Sequence, residues 1–191
     1  MALKPGERKT QILQTLAAML EQPQGEKITT AALAAKVGVS EAALYRHFAS
    51  KAQMFEALIE FIEASVFTLV NQIAQSEREG RAQVQQIVSM LLNFAEKNPG
   101  MVRVLIGDAL VNEDARLQVR INQLVDRVES SIKQALQLVS VGAPSGASTS
   151  SAALANAITA FVVGRWQLYA KSGFKRNPSE YATEQLGLFR L

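Results

Sequence analysis

The chain has 191 residues, 48% of them hydrophobic, which suffices for one sizeable core or for two smaller ones. It contains no cysteine, so disulfide bonds and thiolate metal sites are excluded. The first residues lack the apolar stretch of a secretory signal, and no run of eighteen apolar residues predicts a membrane span. We therefore expect a globular, cytoplasmic protein with no transmembrane segment.

The net charge of +3 is concentrated near the N-terminus. Residues 1–51 carry seven Lys or Arg and four Glu, whereas residues 52–191 carry thirteen Lys or Arg and thirteen Asp or Glu. A basic surface of this kind attracts phosphate groups and releases counterions when it binds them. The charge distribution therefore favours a polyanionic partner for the N-terminal segment.

Helical periodicity continues along the whole chain, and no segment has a convincing strand pattern, so we predict an all-α fold. Two short helices are predicted within residues 28–48. The other predicted helices span about 7–20, 51–74, 81–97, 99–110, 114–139, 151–172 and 178 to the C-terminus. Residues 140–150 are small and uncharged, which is typical of a flexible linker.

Residues 28–51 predict a helix-turn-helix. Thr29 is expected to cap the first short helix, Gly38 to end it in the left-handed conformation, and Ser40 to cap the second. The apolar residues expected to face inward are Ala43, Leu44 and Phe48. In a helix-turn-helix the second helix, here called the recognition helix, enters the DNA major groove. An ordinary helical hairpin is the alternative interpretation.

Two short runs of sequence in this segment resemble the TetR family of transcription regulators. They are Val37-Gly38-Val39-Ser40 and Leu44-Tyr45-Arg46-His47-Phe48, the second followed by Ser50-Lys51. The resemblance implies a three-helix DNA-binding head at residues 1–51. It also implies a larger helical core and dimerisation domain at residues 52–191, with the flexible linker at about 140–150.

Within that family, residues 7–138 resemble the nucleoid-occlusion factors most closely. The resemblance is carried by Ile28-Thr29-Thr30, residues 39–48, residues 58–63, Asn98-Pro99-Gly100 and residues 120–124. It implies a nucleoid-associated homodimer that binds palindromic chromosomal DNA. It also implies a second partner, the tubulin-like division protein FtsZ, whose ring assembly the factor antagonises over the nucleoid.

The predicted helix at 151–172 bears on the homodimer. Its apolar residues spread around more than one face, so that one side can join its own domain and the other a twofold-related copy. The alternative is a central core helix in a monomer.

Nine residues in and around the helix-turn-helix are predicted to contact DNA. The hydroxyls of Thr29 and Thr30 suit phosphate at a helix N-terminus, and Arg46 suits bidentate recognition of guanine. His47, which is the only histidine and is placed on the recognition helix, either donates to phosphate or packs. A solvated Arg46 is likewise an alternative. The remaining predicted contacts are phosphate anchoring by Tyr45 and Lys51, and contacts to base edges or adjacent backbone by Ser40, Glu41 and Ala42.

A second surface is predicted on two of the longer helices. On the helix that starts near residue 51, Met54 and Phe61 fall outside the main apolar stripe. On the helix at 81–97 a polar cluster accompanies Met90. A tail of FtsZ would fit exposed apolar residues of this kind. The predicted FtsZ contacts are Phe61, Met90, Asn93, Lys97 and Asn98. The alternative is that Phe61 packs against the head and Met90 contacts a neighbouring helix.

A ligand-responsive repressor and an enzyme are the two alternative classes of function. A TetR-type repressor released from its operator by a small-molecule ligand needs an apolar pocket with a few inward polar groups. Candidate residues for such a pocket are Phe94, Arg103, Asp108, Asn122, Trp166 and Tyr169. An enzyme is disfavoured, because one histidine excludes a His-x-x-x-His metal motif and no Gly-Lys-Ser/Thr phosphate loop occurs. We expect no metal, no cofactor and no catalytic residue.

Overall fold

The computed structural model describes residues 6–22, 28–140, 150–189 and 191, and this described part is helical without strands. The predicted linker lies almost wholly outside it, at residues 141–149. The helices are α1 (Glu7–Leu20), α2 (Thr30–Val37), α3 (Glu41–Tyr45), α4 (Lys51–Ser76), α5 (Gly80–Lys97), α6 (Pro99–Leu105), α7 (Ala115–Ser140), α8 (Ser151–Lys171) and α9 (Ala182–Leu188), and a 3₁₀ turn covers Asp108–Leu110. The predicted all-α class is confirmed.

Two predicted boundaries differ from the structure. The helix expected at 99–110 ends at Leu105, because Gly107 adopts φ 78° before the 3₁₀ turn. The last helix begins at Ala182 and not at Pro178. Pro178 is buried instead, and its carbonyl accepts a hydrogen bond from the guanidinium of Arg165 at 2.8 Å.

The chain forms two compact units, each built from two separate stretches of sequence. The first unit comprises Met1–Ile62 with Asn98–Ile121. Its α1 packs so closely on α6 that a Cβ atom at Gly100 would overlap the carbonyl oxygen of Ala17. Arg103 on α6 also donates to the carbonyls of Leu20 and Gln22 at the end of α1. These contacts join residues 98–121 to the N-terminal helices.

The second unit comprises Glu63–Lys97 with Asn122–Leu191. Trp166 of α8 is 1% exposed, and its indole N–H donates to the carbonyl of Leu91 at 3.3 Å. The buried guanidinium of Arg165 donates to the backbone carbonyls of residues 177, 178 and 180, which fixes the chain before α9. Just before α5, the backbone amide of Glu79 and then that of Arg78 hold the pKa of Glu77 below its ordinary value.

Helix α4 is long and apolar enough to cross a membrane by composition alone. It has 26 residues, and an 18-residue window reaches a mean hydropathy of 1.4. A core helix of a water-soluble domain passes the same test. Leu58, Ile59 and Ile62 are almost fully buried in the protein, and 33% of that window is buried overall.

We predict that Gly100→Ala destabilises the protein by about 1–3 kcal/mol, because the added methyl group must displace α1 from α6. The free energy of unfolding from urea denaturation measures this effect. Gly187→Ala in α9 is the matched control, since a Cβ there meets no atom within 4 Å. Equal stabilities for the two variants would contradict the close packing of α1 on α6.

Candidate nucleic-acid interface

The turn between α2 and α3 is built as the sequence predicts. The hydroxyl oxygen of Thr29 accepts a hydrogen bond from the backbone N–H of Ala32 at 3.1 Å, which caps the start of α2. Gly38 ends α2 at φ 80° and ψ 37°, a left-handed conformation that lacks a steric penalty only for glycine. Both capping predictions are therefore confirmed, and the chain reverses within two residues.

The recognition helix α3 is short and firmly seated. The hydroxyl oxygen of Ser40 accepts from the backbone N–H of Ala43 at 3.2 Å, while Leu44 is 0% exposed. The helix ends at Tyr45, so that Arg46 is its C-cap and His47 lies in the following turn. The placement of His47 on the recognition helix was wrong, because the helix ends two residues before it.

The predicted DNA contacts other than Lys51 lie together on and beside this helix. Six of them are exposed, namely Thr29, Ser40, Glu41, Ala42, Tyr45 and Arg46, and Thr30 and His47 are half-buried. The hydroxyl of Thr30 donates to a carboxylate oxygen of Glu41 at 2.7 Å, which joins the first turns of α2 and α3. A phosphate near Thr30 would therefore have to approach an existing carboxylate partner.

Positive charge surrounds the same helix. The ammonium of Lys9 lies 5.6 Å from the centre of the Phe48 ring, next to the end of the recognition turn. Lys36 in the last turn of α2 is exposed. The exposed guanidinium of Arg46 has no hydrogen bond or ion pair within the described part of the chain. It is therefore available for a base edge or a phosphate.

Lys51 has a different environment from the one expected for a phosphate anchor. Its ammonium lies 2.5 Å from a carboxylate oxygen of Glu113, and the two side chains are only 19% and 11% exposed. The ammonium is thus already paired inside the first unit. Sequence analysis missed Glu113, because nothing local connects two residues that are 62 positions apart.

The residues predicted to bind FtsZ belong to both compact units. In the first unit, Phe61 is 53% exposed and Asn98 is half-buried. Met54 is 0% exposed, so its predicted exposure was wrong. The helical wheel assumed one narrow buried stripe, whereas α4 buries adjacent residues on a broad arc. In the second unit, Asn93 and Lys97 are exposed and Met90 is half-buried on α5.

The residues suggested for a small-molecule pocket belong to both compact units. Arg103 and Asp108 belong to the first unit, where they pair with each other at 2.7 Å and line a crevice. Trp166 and Tyr169 belong to the second unit. Their polar atoms donate to the carbonyls of Leu91 and Glu96. These four polar side chains therefore already have protein partners.

A capped three-helix unit, with an exposed recognition helix and cationic side chains on the neighbouring elements, defines the class of helix-turn-helix DNA-binding regulators. Comparison with known folds agrees. A TetR-like regulator from Rhodococcus sp. RHA1 superposes with a TM-score of 0.77 over 98% of this chain and 96% of that one, at 17% identity. The MbdR regulator from Azoarcus sp. CIB superposes with a TM-score of 0.79 over 95% and 96%, at 14% identity.

Two family models match the sequence. The model of bacterial regulatory proteins of the tetR family matches residues 12–58, and the model of the SlmA-like tetracyclin repressor-like C-terminal domain matches residues 78–190. The nucleoid occlusion factor SlmA of Alteromonas mediterranea is 48% identical over 99% of this chain and 97% of its own length. That of Marinomonas sp. is 50% identical over 97% and 94%. The chain belongs to the TetR family and, within it, to the SlmA family of nucleoid occlusion factors.

We predict that Ser40→Ala lowers the free energy of unfolding by about 1 kcal/mol, because the first turn of α3 loses its cap. Ser40→Asn should change it by only a few tenths of that, since an asparagine oxygen also caps a helix well. Urea denaturation measures both. Ser89→Ala, at an exposed site inside α5, is the control for loss of a non-capping hydroxyl. A Ser40→Ala variant as stable as this control would contradict the cap.

Proposed function

We propose that this protein is a homodimeric nucleoid occlusion factor that binds palindromic chromosomal DNA and antagonises assembly of the FtsZ division ring over the nucleoid. Its site of action would be the cytoplasm, on the chromosome. The observation that carries the DNA-binding part is the exposed recognition helix, seated by Leu44 and capped by Ser40, beside unpaired Arg46.

The exposed residues divide into two roles on DNA. Thr29, Tyr45 and the half-buried His47 offer hydroxyl or imidazole groups to the phosphate backbone, which positions the protein without reading sequence. Ser40, Glu41 and Arg46 lie where base edges in the major groove would meet the start and end of α3. Thr30 takes part through Glu41, whose carboxylate it holds. Specificity would thus come from α3 and affinity from the cations around it.

A homodimer is supported by apolar side chains that the chain leaves exposed near its C-terminus. Leu168 on α8 is 41% exposed and Leu188 on α9 is 82% exposed. Both helices bury other residues in the second unit, so each has one covered and one uncovered apolar side. A twofold copy would cover these side chains and would place two recognition helices on two half-sites.

The FtsZ part of the proposal is supported by the relatives, which are named nucleoid occlusion factors, and by exposed side chains on α4 and α5. Phe61 is a large apolar residue with half of its surface in water. Lys97 supplies an exposed cation in the last turn of α5. Within the first unit an exposed aromatic side chain would suit an apolar residue of the partner, and within the second unit an exposed cation would suit an acidic one.

The alternative is a TetR-type repressor released from its operator by a small molecule. The crevice of the first unit, lined by Arg103, Asp108 and Phe55 among others, is the feature that favours it. Isothermal titration with candidate acyl or aromatic ligands, followed by a DNA-binding assay, separates the two proposals. DNA affinity that no ligand changes favours the nucleoid occlusion factor.

We predict that Arg46→Ala raises the dissociation constant for the preferred palindrome by about 5- to 150-fold, which corresponds to the loss of one bidentate base contact. Affinity for unrelated duplexes should fall much less, so the specificity ratio shrinks. Fluorescence anisotropy with labelled duplexes measures both constants. Arg81→Ala, at an exposed arginine of α5, is the matched control. An unchanged specificity ratio would show that Arg46 is only solvated.

We predict that Phe61→Ala combined with Lys97→Glu abolishes FtsZ antagonism and leaves DNA affinity unchanged. The readout is sedimentation of FtsZ polymers in the presence of the protein and a specific duplex. Val119→Ala combined with Lys133→Glu is the matched control, because Val119 and Lys133 are exposed on α7. Retained antagonism in the first double variant would show that FtsZ needs neither Phe61 nor Lys97.

A further inference from the structure

The ion pair of Lys51 and Glu113 is largely enclosed by the first unit. Its nitrogen and oxygen lie 2.5 Å apart, and both side chains are more than four-fifths buried. The Lys51 ammonium also lies 5.6 Å from the centre of the ring of Phe55, which is 1% exposed. Removing one partner of such a pair leaves a charge that is poorly solvated and unpaired.

A second link lies farther along the same helix. A carboxylate oxygen of Glu56 on α4 is 2.9 Å from the guanidinium of Arg116, and the backbone carbonyl of Glu56 accepts from Arg120 at 3.4 Å. Arg116 is 58% exposed, so its ion pair contributes little by itself. The Lys51–Glu113 ion pair and the contacts of Glu56 nevertheless hold the first turns of α4 against the segment 113–120 at two positions along the helix axis. Together they fix the direction of α4 within the first unit.

The first turn of α4 follows the recognition helix closely along the chain. Only residues 46–50 separate the end of α3 at Tyr45 from the start of α4 at Lys51. Phe48, in the middle of this connection, is 5% exposed and therefore seated in the core. A shift of Lys51 would be passed to α3 through this short, packed connection.

We propose that Glu113 is a positioning residue for DNA binding, which acts by holding Lys51 and thereby the recognition helix. Lys51 is then a strut of the first unit, that is, a residue whose ion pair fixes the start of α4. It is not a phosphate anchor, which revises the role that its reach and charge predict. The proposal rests on the proposed DNA-binding function. It adds Glu113 to that function, a residue that lies 62 positions from Lys51 and is not among the predicted DNA contacts.

The test compares Lys51→Met with the charge-swapped double variant Lys51→Glu/Glu113→Lys. Both are titrated with the preferred palindrome over a series of salt concentrations. If Lys51 is a strut, Lys51→Met raises the dissociation constant by about tenfold, the usual size of a coupling between sites. The slope of log affinity against log salt concentration stays unchanged, because no phosphate contact is lost. The swapped variant, which restores an ion pair, recovers most of the affinity.

A phosphate anchor gives the opposite results. Lys51→Met would then lower the salt slope by about 0.9, the value of one phosphate contact on duplex DNA. The swapped variant would bind still more weakly, since a carboxylate would face the phosphate. Either result overturns the inference. Lys133→Met, at an exposed lysine of α7, is the matched control for loss of one positive charge.

A double-mutant cycle in urea denaturation keeps folding and binding apart. It should give a favourable coupling between residues 51 and 113 in the absence of DNA, and zero coupling would refute the strut. If the wild-type protein bound no duplex at all, the proposed function would fail and the inference with it. If the wild type binds and the swapped variant alone stays inactive, only the inference fails.

Discussion

The reversal of the chain at Gly38 is the constraint on which the DNA-reading surface depends. Positive φ at this residue lets α2 stop and α3 start almost at once, and a Cβ atom there would add strain. The hydroxyls of Thr29 and Ser40 then satisfy amides at the two helix starts. Leu44 is buried and anchors one side of the recognition helix in the core, so the opposite side of the helix can face a DNA groove. Base reading, phosphate contact and the choice of half-site all require this geometry first.

The head does not stand alone, because residues far along the chain complete its compact unit. Gly100 permits α6 to approach the backbone of α1, and Arg103 binds the carbonyls at the end of α1. Glu113 holds Lys51 at the start of α4. A recognition helix built into such a unit loses little conformational entropy when it binds, which favours a pre-organised DNA reader.

The sequence predicted well what local chemistry decides. Caps, the left-handed glycine and the helical period located α1, α2 and the long helices to within about two residues. The same reasoning failed where tertiary contacts decide. The helical wheel predicted that the Met54 side chain is exposed, because a wheel cannot show how broad an arc of α4 the neighbouring helices cover. The last helix was predicted to begin at Pro178, because the sequence does not reveal that Arg165 donates hydrogen bonds to the backbone carbonyls there.

The candidate site was predictable to the same degree. The outward residues of α3 follow from its cap and its buried side chains, and the structure brings them together. The partner of Lys51 could not be found, since charge and reach alone do not distinguish a phosphate anchor from one half of a buried pair. The most direct test of the account is sedimentation velocity with a palindromic duplex selected from genomic fragments. We expect two chains, or a multiple of two, on each palindrome, with affinity that falls steeply as salt rises. A protein that sediments as a monomer and ignores duplex DNA at low salt would contradict it.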